Sequence, residues 1–301
     1  MPSSFCPDPH TLAQLFVHGA LYSIGHFGIA EKLDDDEEIP FADLAARCNV
    51  RATDSFQRVL RVAIAHRIFE ESKPGFVRHN ALSIALRRQP ILGRFISHCY
   101  EDILPAQIKF PQALEKWAST EDPRETAFAL ANGGGKSGFE LINGDPARAR
   151  RFADSMTVLQ ANPAYALHHV VENFNWQAAE SPVLVDVGGS SGVLLAALLR
   201  TKPDASGIVQ DVPDVVNSAA VPDDLEGRLR FQAQDFLEPQ QVAGADIYLF
   251  RWIFHDWPDS SVVRILANQV PALKPGARLV ICEICLPEPG TVGVLEDQRV
   301  R

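Results

Sequence analysis

The sequence has few cysteines, no excess of basic residues and no long hydrophobic run, and each absence excludes a class of protein. Five cysteines in 301 residues form no even disulfide framework, which argues against a disulfide-stapled secreted domain. Acidic residues outnumber basic residues by 38 to 28, an unfavourable balance for a nucleic-acid or anionic-membrane binder. No apolar run is long enough to span a membrane, and no basic segment followed by an apolar one begins the chain. We therefore expect a cytoplasmic protein without membrane or nucleic-acid partners.

The sequence also lacks a cluster of metal ligands with suitable spacing. Cys282 and Cys285 form a C-x-x-C pair, but they lie in the apolar stretch "RLVICEICLP", which we predict to be a strand. Residues three apart in a strand point to opposite faces, so the two thiols would diverge. We predict no metal site.

The first hundred residues predict a small helical domain. Residues 11–33 carry apolar side chains at helical spacing, with a break near Gly25 or Gly28. After an acidic run, the pattern predicts two short helices joined at residues 49–50, the second starting near Thr53. A strand pair turning at residues 73–75 follows. This order is the plan of a winged-helix domain.

A winged helix raises the alternative of a DNA-binding regulator. Four arginines in this region could contact phosphates: Arg51, Arg58, Arg61 and Arg67. The second helix is, however, rich in large apolar residues, and the chain is acidic overall. Packing and subunit contact are therefore the favoured use of this domain.

Residues 91–175 are predicted to be mainly helical. One helix has a clear start in "DPARARRFADSM", where Asp145 is a good N-cap and Pro146 occupies the first helical position.

From residue 182 the pattern changes to short apolar strands alternating with helices. Five strands are predicted, in "VLVDV", "SGIVQD", "LRFQAQDF", "ADIYLFRWIFHDW" and "RLVICEICLP". Such alternation predicts an α/β fold with a parallel sheet covered on both faces. Ligands of these sheets bind beyond the carboxyl ends of the strands, where the strand order reverses. The polar residues of interest all fall at the carboxyl ends of predicted strands: Asp186 to Gly192, Asp211, Asp235 and His255.

A glycine-rich turn, "DVGGSSG", follows the first of these strands and predicts a nucleotide site. Gly188, Gly189 and Gly192 allow a tight turn and close approach of a ligand to the backbone. Asp211 ends the next strand, where a carboxylate can accept both hydroxyls of a ribose. A nicotinamide dinucleotide or a purely structural turn would fit these residues too. The glycine spacing departs from G-x-G-x-x-G, and Asp235-Phe236 offers an acid and a ring to an adenine, which favours S-adenosylmethionine.

The ordered motifs "LVDVGGSSG", "QDVPDVV", "QDF", "LFRWIFHDWPD" and "LKPGARLVICEICLPE" resemble the S-adenosylmethionine-dependent O-methyltransferases of the plant caffeic-acid type. The segments "LFVHGALYSIGHFGIAEKL" and "GKSGFELINGDPARARRFADSM" also resemble this family. The resemblance implies a winged-helix-like dimerisation domain over residues 1–100 and a helical connector with acceptor-pocket residues over 101–175. A Rossmann-like methyltransferase domain over 176–301 would bind S-adenosylmethionine. A homodimer acting on a small-molecule acceptor is expected.

The resemblance also implies roles for individual residues. It assigns cofactor binding to the glycine turn at Gly188 and Gly189 and to Asp211, Asp235, Phe236 and Arg251. It places Phe152 and Met156 in the acceptor pocket, and it implies His255 as general base with Glu283 as the acid that orients it. Ser190 departs from the family, in which many members have glycine there.

The chemistry of methyl transfer explains why a histidine belongs after the fourth strand. A phenol has a pKa of about 10, so near neutral pH it needs a base within hydrogen-bond reach as attack begins. A neutral imidazole suits that role if its second nitrogen has an acceptor that fixes the tautomer. We expect Asp256, the next residue, to point elsewhere, in a structural or cofactor-side role.

The sequence ends 18 residues after Glu283, whereas the resembled family continues through further helices and strands. We therefore expect a shortened C-terminal segment. Three hypotheses follow: an active O-methyltransferase for a phenolic or enolic hydroxyl of a secondary metabolite, a protein of this fold that transfers no methyl group, or a winged-helix regulator. The second includes an accessory subunit and a pericyclase-like enzyme that uses the bound sulfonium for electrostatics.

Overall fold

The computed structural model describes residues 9–117, 120–176, 180–294 and 296. The α-helices are α1 Pro9–Phe27, α2 Phe41–Arg47, α3 Thr53–Ala65, α4 Ala81–Arg88, α5 Pro90–His98, α6 Leu104–Lys116, α7 Ala127–Ala131, α8 Gly138–Asn143, α9 Pro146–Gln160, α10 His168–Val171, α11 Val193–Thr201, α12 Pro213–Ser218 and α13 Asp259–Gln269. The strands are β1 Glu38–Pro40, β2 Glu70–Lys73, β3 Phe76–Arg78, β4 Val183–Val187, β5 Ser206–Asp211, β6 Leu229–Ala233, β7 Ile247–Arg251 and β8 Arg278–Cys282. Short 3-10 or π turns lie at Ala30–Lys32, Cys99–Ile103, Pro163–Tyr165, Asp223–Leu225, Phe254–Asp256 and Val270–Ala272.

The chain forms two compact units, Met1–Ala164 and Tyr165–Arg301. Residues 101–164 join the first unit because α5 packs against α9 and α6 packs against α7. The contacts therefore give two units where the sequence predicts three segments, and the finer division at residues 100 and 175 stays a prediction.

The first unit contains a three-stranded antiparallel sheet of order β1-β3-β2 beside the helices α2 and α3. Ile39 pairs with Val77, and both side chains are buried in a core that also holds Leu44, Leu60 and Phe69. The predicted break after the first helix is confirmed at Gly28, whose φ of +57° lies in the left-handed region that favours glycine. The two helices and the strand pair are confirmed as well.

The helix that starts at Pro146 is also confirmed. The Asp145 side chain accepts hydrogen bonds from the backbone N–H groups of Ala147 and Arg148 at 2.9 and 3.3 Å. This cap satisfies amide groups that the first helical turn cannot pair.

The second unit is built on a parallel five-stranded sheet of order β6-β5-β4-β7-β8. From the central β4 the chain first adds β5 and β6 on one side and then β7 and β8 on the other. The strand order therefore reverses at β4, and ligands of such sheets bind beyond the carboxyl ends at this point. The predicted α/β, Rossmann-like arrangement is confirmed at this level.

The three central strands of this sheet, β4, β5 and β7, are largely apolar because both of their faces are covered. Leu184 lies in the cluster on one face with Leu195 of α11, and its neighbour Val185 lies in the cluster on the other face with Ile265 of α13. Strands buried on both faces are continuously hydrophobic, which is why their existence could be predicted from composition.

Two predicted strands end earlier than the sequence indicates. β7 ends at Arg251 because Trp252 adopts a left-handed φ of +57°, and His255 lies in the 3-10 turn that follows. β8 ends at Cys282, so Cys285 lies outside the strand and the alternation argument does not reach it. Within the described residues, no helix combines the length and apolar character needed to cross a bilayer.

We predict that Gly207→Ala lowers the free energy of unfolding by about 1–3 kcal/mol, because helix α11 packs closely on β5 at this point. A Cβ at Gly207 would lie 2.7 Å from Cδ2 and 3.0 Å from Cγ of Leu195, a side chain with no exposed surface. Urea denaturation monitored by tryptophan fluorescence measures the loss.

The matched test is the double variant Gly207→Ala with Leu195→Ala. Shortening the leucine removes the collision, so the combined loss should be smaller than the sum of the two single losses. Strictly additive losses would contradict the close packing.

Candidate active site

The glycine-rich turn between β4 and α11 forms the centre of the site. Gly188 and Gly192 adopt φ values of +72° and +70°. The amide groups of Gly188 and Gly189 both donate to the backbone oxygen of Gln210, at 2.8 and 3.1 Å, which fastens the turn to the end of β5. The turn therefore lies at the carboxyl end of the sheet, where the sequence places it.

No side chain fits at these glycines. A Cβ at Gly189 would lie 2.6 Å from the Asp186 carboxyl group, and one at Gly192 would lie 2.8 Å from Val209 Cγ2. A Cβ at Gly188 would lie 2.5 Å from Ile253 Cδ1 and 3.6 Å from the Phe236 ring. Only glycine therefore fits where the turn packs against Asp186, Val209 and Ile253. Gly188 and Gly189 are half-buried, so part of their main chain is accessible without a side chain over it.

Ser190 occupies a position that favours glycine, with a φ of +51°. Its amide donates to Asp211 Oδ2 at 2.9 Å, and the amide of Val212 donates to Asp211 Oδ1 at 2.8 Å. The Asp211 carboxylate is therefore oriented over the turn. Burial raises its pKa, and the two backbone hydrogen bonds partly offset that effect.

Asp186, the fourth residue of β4, is a carboxyl group buried under the turn with 2% of its surface exposed. Burial is the largest cause that raises its pKa, the Arg251 guanidinium lowers it, and the nearby Asp211 charge raises it, so that the pKa lies at about 7. From the sequence, Asp186 is predicted only to be a polar residue at the end of a strand. An acidic residue inside an apolar strand was the available signal.

Arg251 ends β7 and lies half-buried near Asp186. Its guanidinium stacks at 4.0 Å over the Trp252 ring and donates from Nη2 to the backbone oxygen of Tyr165 at 3.2 Å. The Tyr165 ring meets the Trp252 ring edge-on at 5.5 Å. Sequence analysis missed Trp252 and Tyr165, and no local pattern could have joined residues so far apart in the chain.

Asp235 and Phe236 begin the loop after β6. Asp235 is exposed, and its Oδ1 accepts from the amide of Leu237 at 2.8 Å. Phe236 meets the Trp257 ring edge-on at 5.5 Å. The structure thus brings this pair, Asp211 and the glycine turn to one edge of the sheet.

His255 and Glu283 form a hydrogen-bonded pair at the same edge. His255 Nδ1 lies 2.8 Å from Glu283 Oε2. Glu283 Oε1 accepts two backbone hydrogen bonds, from Ile253 at 2.6 Å and from Phe254 at 2.7 Å. One carboxylate therefore holds both the turn and the ring, while half of the His255 side chain stays exposed to solvent. An exposed imidazole with one nitrogen held by an acid can exchange a proton at the other.

Asp256 does not point away from the ring, so that expectation was wrong. Its Oδ1 lies 3.6 Å from His255 Nε2, just beyond hydrogen-bond distance. His255 and Asp256 are consecutive residues of the 3-10 turn Phe254–Asp256 and do not belong to strand β7.

Phe152 and Met156 lie on α9 in the first unit, one helical turn apart. Phe152 meets the rings of His98 and Phe139 edge-on, at 5.9 and 6.3 Å. His98 Nδ1 is 3.0 Å from the buried carboxylate of Asp102. Both predicted pocket residues are half-buried, and Phe152 belongs to an aromatic cluster of that unit.

Comparisons with known proteins identify the family. A family model of the O-methyltransferase domain matches residues 113–297. O-methyltransferase kk1A of Curvularia clavata is 40% identical over 288 residues, covering 96% of this chain and 68% of that protein. The chain belongs to this O-methyltransferase family. It spans about two thirds of the length of that relative.

Solved structures agree on the fold of this O-methyltransferase. OxaC in complex with sinefungin and meleagrin has a TM-score of 0.79 at 22% identity, covering 94% of this chain and 74% of that one. A pericyclic reaction enzyme has a TM-score of 0.72 at 24% identity, covering 93% and 72%. At these identities the likeness concerns the fold alone.

The O-methyltransferase uses S-adenosylmethionine as its cofactor, which confirms the sequence prediction. The site residues of the turn, the strand ends and the following loops fit that cofactor. The DNA-binding alternative receives no support, and one of its four arginines, Arg61, forms a two-bonded ion pair with Glu71 at 2.9 and 2.7 Å.

Asp186 makes a prediction about the pH dependence of stability. Its pKa is higher in the folded state than the value of about 4 expected in the unfolded chain, so the folded state binds the proton more tightly. Deprotonation of Asp186 therefore lowers the free energy of unfolding of the O-methyltransferase progressively as pH rises from about 4 to about 7. Asp186→Asn should remove this part of the pH dependence, as measured by urea denaturation across that range.

Asp246→Asn is the matched control with the opposite sign. Burial alone would raise the pKa of Asp246, but the Lys274 ammonium at 2.6 Å and the Val183 amide at 2.9 Å lower it overall. Loss of this carboxylate should therefore destabilise the protein at neutral pH. An Asp186→Asn variant with the same pH profile as the parent protein would contradict the burial argument.

Proposed function

We propose that this O-methyltransferase methylates a phenolic or enolic hydroxyl of a small secondary metabolite, with His255 as general base. The observation that carries the proposal is the 2.8 Å contact between His255 Nδ1 and Glu283 Oε2 at the carboxyl edge of the sheet. A carboxylate can only accept at this contact, so the proton of the neutral ring belongs on Nδ1. The lone pair on Nε2 is then free to accept the hydroxyl proton.

The bound cofactor supplies a methyl group that is already activated on a sulfonium. The protein has to bind and orient the acceptor and remove one proton. A phenol has a pKa of about 10 and is mostly protonated near neutral pH. Proton transfer to His255 Nε2 during attack contributes a rate factor of roughly 10²–10⁴ for a positioned base.

We propose that the cofactor is held by Gly188, Gly189, Asp211, Asp235, Phe236 and Arg251. The glycines offer bare backbone, and Asp211 offers carboxylate oxygens oriented by two amide groups. Phe236 offers a ring face, and the exposed Asp235 offers an acceptor for an amine. No metal is needed for this chemistry, and the absence of one stays a prediction.

Phe152 and Met156 are proposed to line the acceptor pocket. They expose apolar and polarizable surface on α9, which suits a flat aromatic acceptor. OxaC is a structural neighbour whose complex contains the small molecule meleagrin, which is consistent with a small-molecule acceptor.

Residues 1–100 are proposed to form a winged-helix-like dimerisation domain, and the enzyme is proposed to be a cytoplasmic homodimer. Support comes from the order α2, α3, β2, β3 and from the antiparallel sheet beside the two helices. Assignment to the plant caffeic-acid type stays a prediction. Methyl transfer remains the favoured activity. The pericyclase-like alternative is supported only by the similar fold of one pericyclic reaction enzyme.

We predict that His255→Ala lowers kcat for methyl transfer to a panel of phenols by roughly 10²–10⁴-fold, because the hydroxyl proton loses its acceptor. Transfer is measured with isotopically labelled S-adenosylmethionine. Affinity for S-adenosylhomocysteine, measured by calorimetry, should stay within about threefold. Unchanged turnover in the variant would contradict the base assignment.

Glu283→Gln tests the orientation of the base separately. The amide oxygen can still accept from the backbone of Ile253 and Phe254, so the turn should persist. The amide nitrogen would face His255 Nδ1 and favour the tautomer with its proton on Nε2, which cannot act as a base. We expect kcat to fall at least about tenfold with little change in the melting temperature, and equal kcat values in both proteins would refute the proposed orientation.

A further inference from the structure

The loop of residues 235–239 carries Asp235 and Phe236. Its side chains contact neighbouring elements, because Phe236 and Leu237 pack against a core cluster of the sheet and Glu238 Oε1 lies 3.2 Å from Arg264 Nη2 of α13. Within the loop, the amide of Glu238 donates to the backbone oxygen of Asp235 at 3.0 Å, and the amide of Leu237 donates to the Asp235 side chain. Both bonds are local. A loop that must present an acid and a ring to a ligand needs further constraints, because a displacement of about 1 Å is costly.

Gln234 supplies one such constraint from the base of the loop. Its side-chain nitrogen donates to the backbone oxygen of Asp235 at 2.7 Å and to that of Pro239 at 3.3 Å. One carboxamide thus joins the first and last residues of the loop. Gln234 is 5% exposed, and its amide donates to the backbone oxygen of Asp211 at 2.9 Å. It is therefore fixed to the end of β5.

The unpaired oxygen of Gln234 is informative. Its Oε1 is buried and has no hydrogen-bond partner among the residues that the structure describes, which generally costs about 1–3 kcal/mol. Reversing the amide would turn that oxygen toward the two backbone oxygens and lose both bonds to the loop. The observed orientation of the Gln234 carboxamide keeps both hydrogen bonds to the loop and leaves Oε1 unpaired.

A second constraint comes from α13. Asn268 donates from Nδ2 to the backbone oxygen of Phe236 at 3.3 Å, and the backbone oxygen of Asn268 accepts from the amide of Gln240 at 3.0 Å. The helix therefore holds the loop at Phe236 and just beyond Pro239.

Gln240 connects these contacts to the glycine turn. Its carboxamide and that of Gln210 exchange two hydrogen bonds of 2.8 Å, and its nitrogen also donates to Gln269 Oε1 at 3.0 Å. Gln210 lies on β5 with no exposed surface, and its backbone oxygen accepts from Gly188 and Gly189. Gln210 therefore contacts the glycine turn through its main chain and Gln240, just beyond the loop, through its side chain.

We propose that Gln210, Gln234, Gln240, Gln269 and Asn268 form a carboxamide cluster that positions the 235–239 loop for the adenosine part of the cofactor. The inference rests on the proposed cofactor-binding roles of Asp235 and Phe236. The five residues are positioning residues, and none of them is assigned a contact with the ligand. Because carboxamides do not ionise near neutral pH, the hydrogen bonds of the cluster itself do not depend on pH there.

The test uses Gln234→Met, which keeps the length of the side chain and removes both donors to the loop. The variant also removes the unpaired oxygen, so its loss of stability should be small. Calorimetric affinity for S-adenosylhomocysteine should fall about tenfold, while kcat at saturating S-adenosylmethionine should stay within about twofold. Hydrogen exchange at the amides of Leu237 and Glu238 should be faster in the ligand-free variant.

Gln241→Met is the matched control, because Gln241 is an exposed glutamine just after the loop that bonds only to the Gln232 side chain, at 3.2 Å. Its affinity should equal that of the parent protein. Asn268→Ala is a second, half-buried variant that loses a single bond to the loop, and it should weaken binding about threefold.

The outcomes separate this inference from the proposed function. Parent-like affinity in both Gln234→Met and Asn268→Ala would overturn the positioning role. A fall in kcat with unchanged affinity would also overturn it. Tight binding of S-adenosylhomocysteine without methyl transfer to any phenol would refute the proposed acceptor chemistry and leave the positioning role standing.

Discussion

The carboxylate of Glu283 is the contact on which the catalytic edge depends. One oxygen accepts the backbone amides of Ile253 and Phe254, and the other contacts His255 Nδ1. Hydrogen bonds to a charged acceptor are shorter and stronger than neutral ones, and three of them converge here on a side chain with little exposed surface. The turn after β7 and the ring it carries are thus held by a residue that follows the neighbouring strand β8. Parallel pairing of the two strands is what brings the partners together.

The cofactor side depends in a similar way on the end of β5. Gln210 accepts the amides of the glycine turn, and Asp211 orients over that turn through Ser190. The loop after β6 is in turn joined to the Asp211 backbone through Gln234. These contacts are mostly between main-chain groups or uncharged amides. Two acids are the exceptions. The Asp211 carboxylate accepts the amides of Ser190 and Val212, and Asp186 is a buried acid whose raised pKa marks a group that the folded state prefers to keep protonated.

Structural features that depend on neighbouring residues in the chain could be predicted from the sequence. Features that depend on contacts between residues far apart in the chain could not. The apolar strands, the left-handed break at Gly28 and the cap at Asp145 follow from local composition and backbone preference. The end of β7 was misplaced because apolar residues continue through Phe254 while the backbone turns at Trp252. Pairing of Arg251 with the Tyr165 backbone joins segments with no common pattern. The carboxamide cluster was equally invisible, since isolated glutamines in a sequence are usually surface residues.

The most direct test of the account is the tautomer of His255. Nitrogen NMR of protein labelled with ¹⁵N-histidine distinguishes the two ring nitrogens, and His255→Ala identifies the signals. With the ring neutral, we expect the proton on Nδ1, where Glu283 accepts it, and a bare Nε2. A proton found on Nε2 instead would mean that the ring cannot accept one from a bound hydroxyl, and it would contradict the central claim.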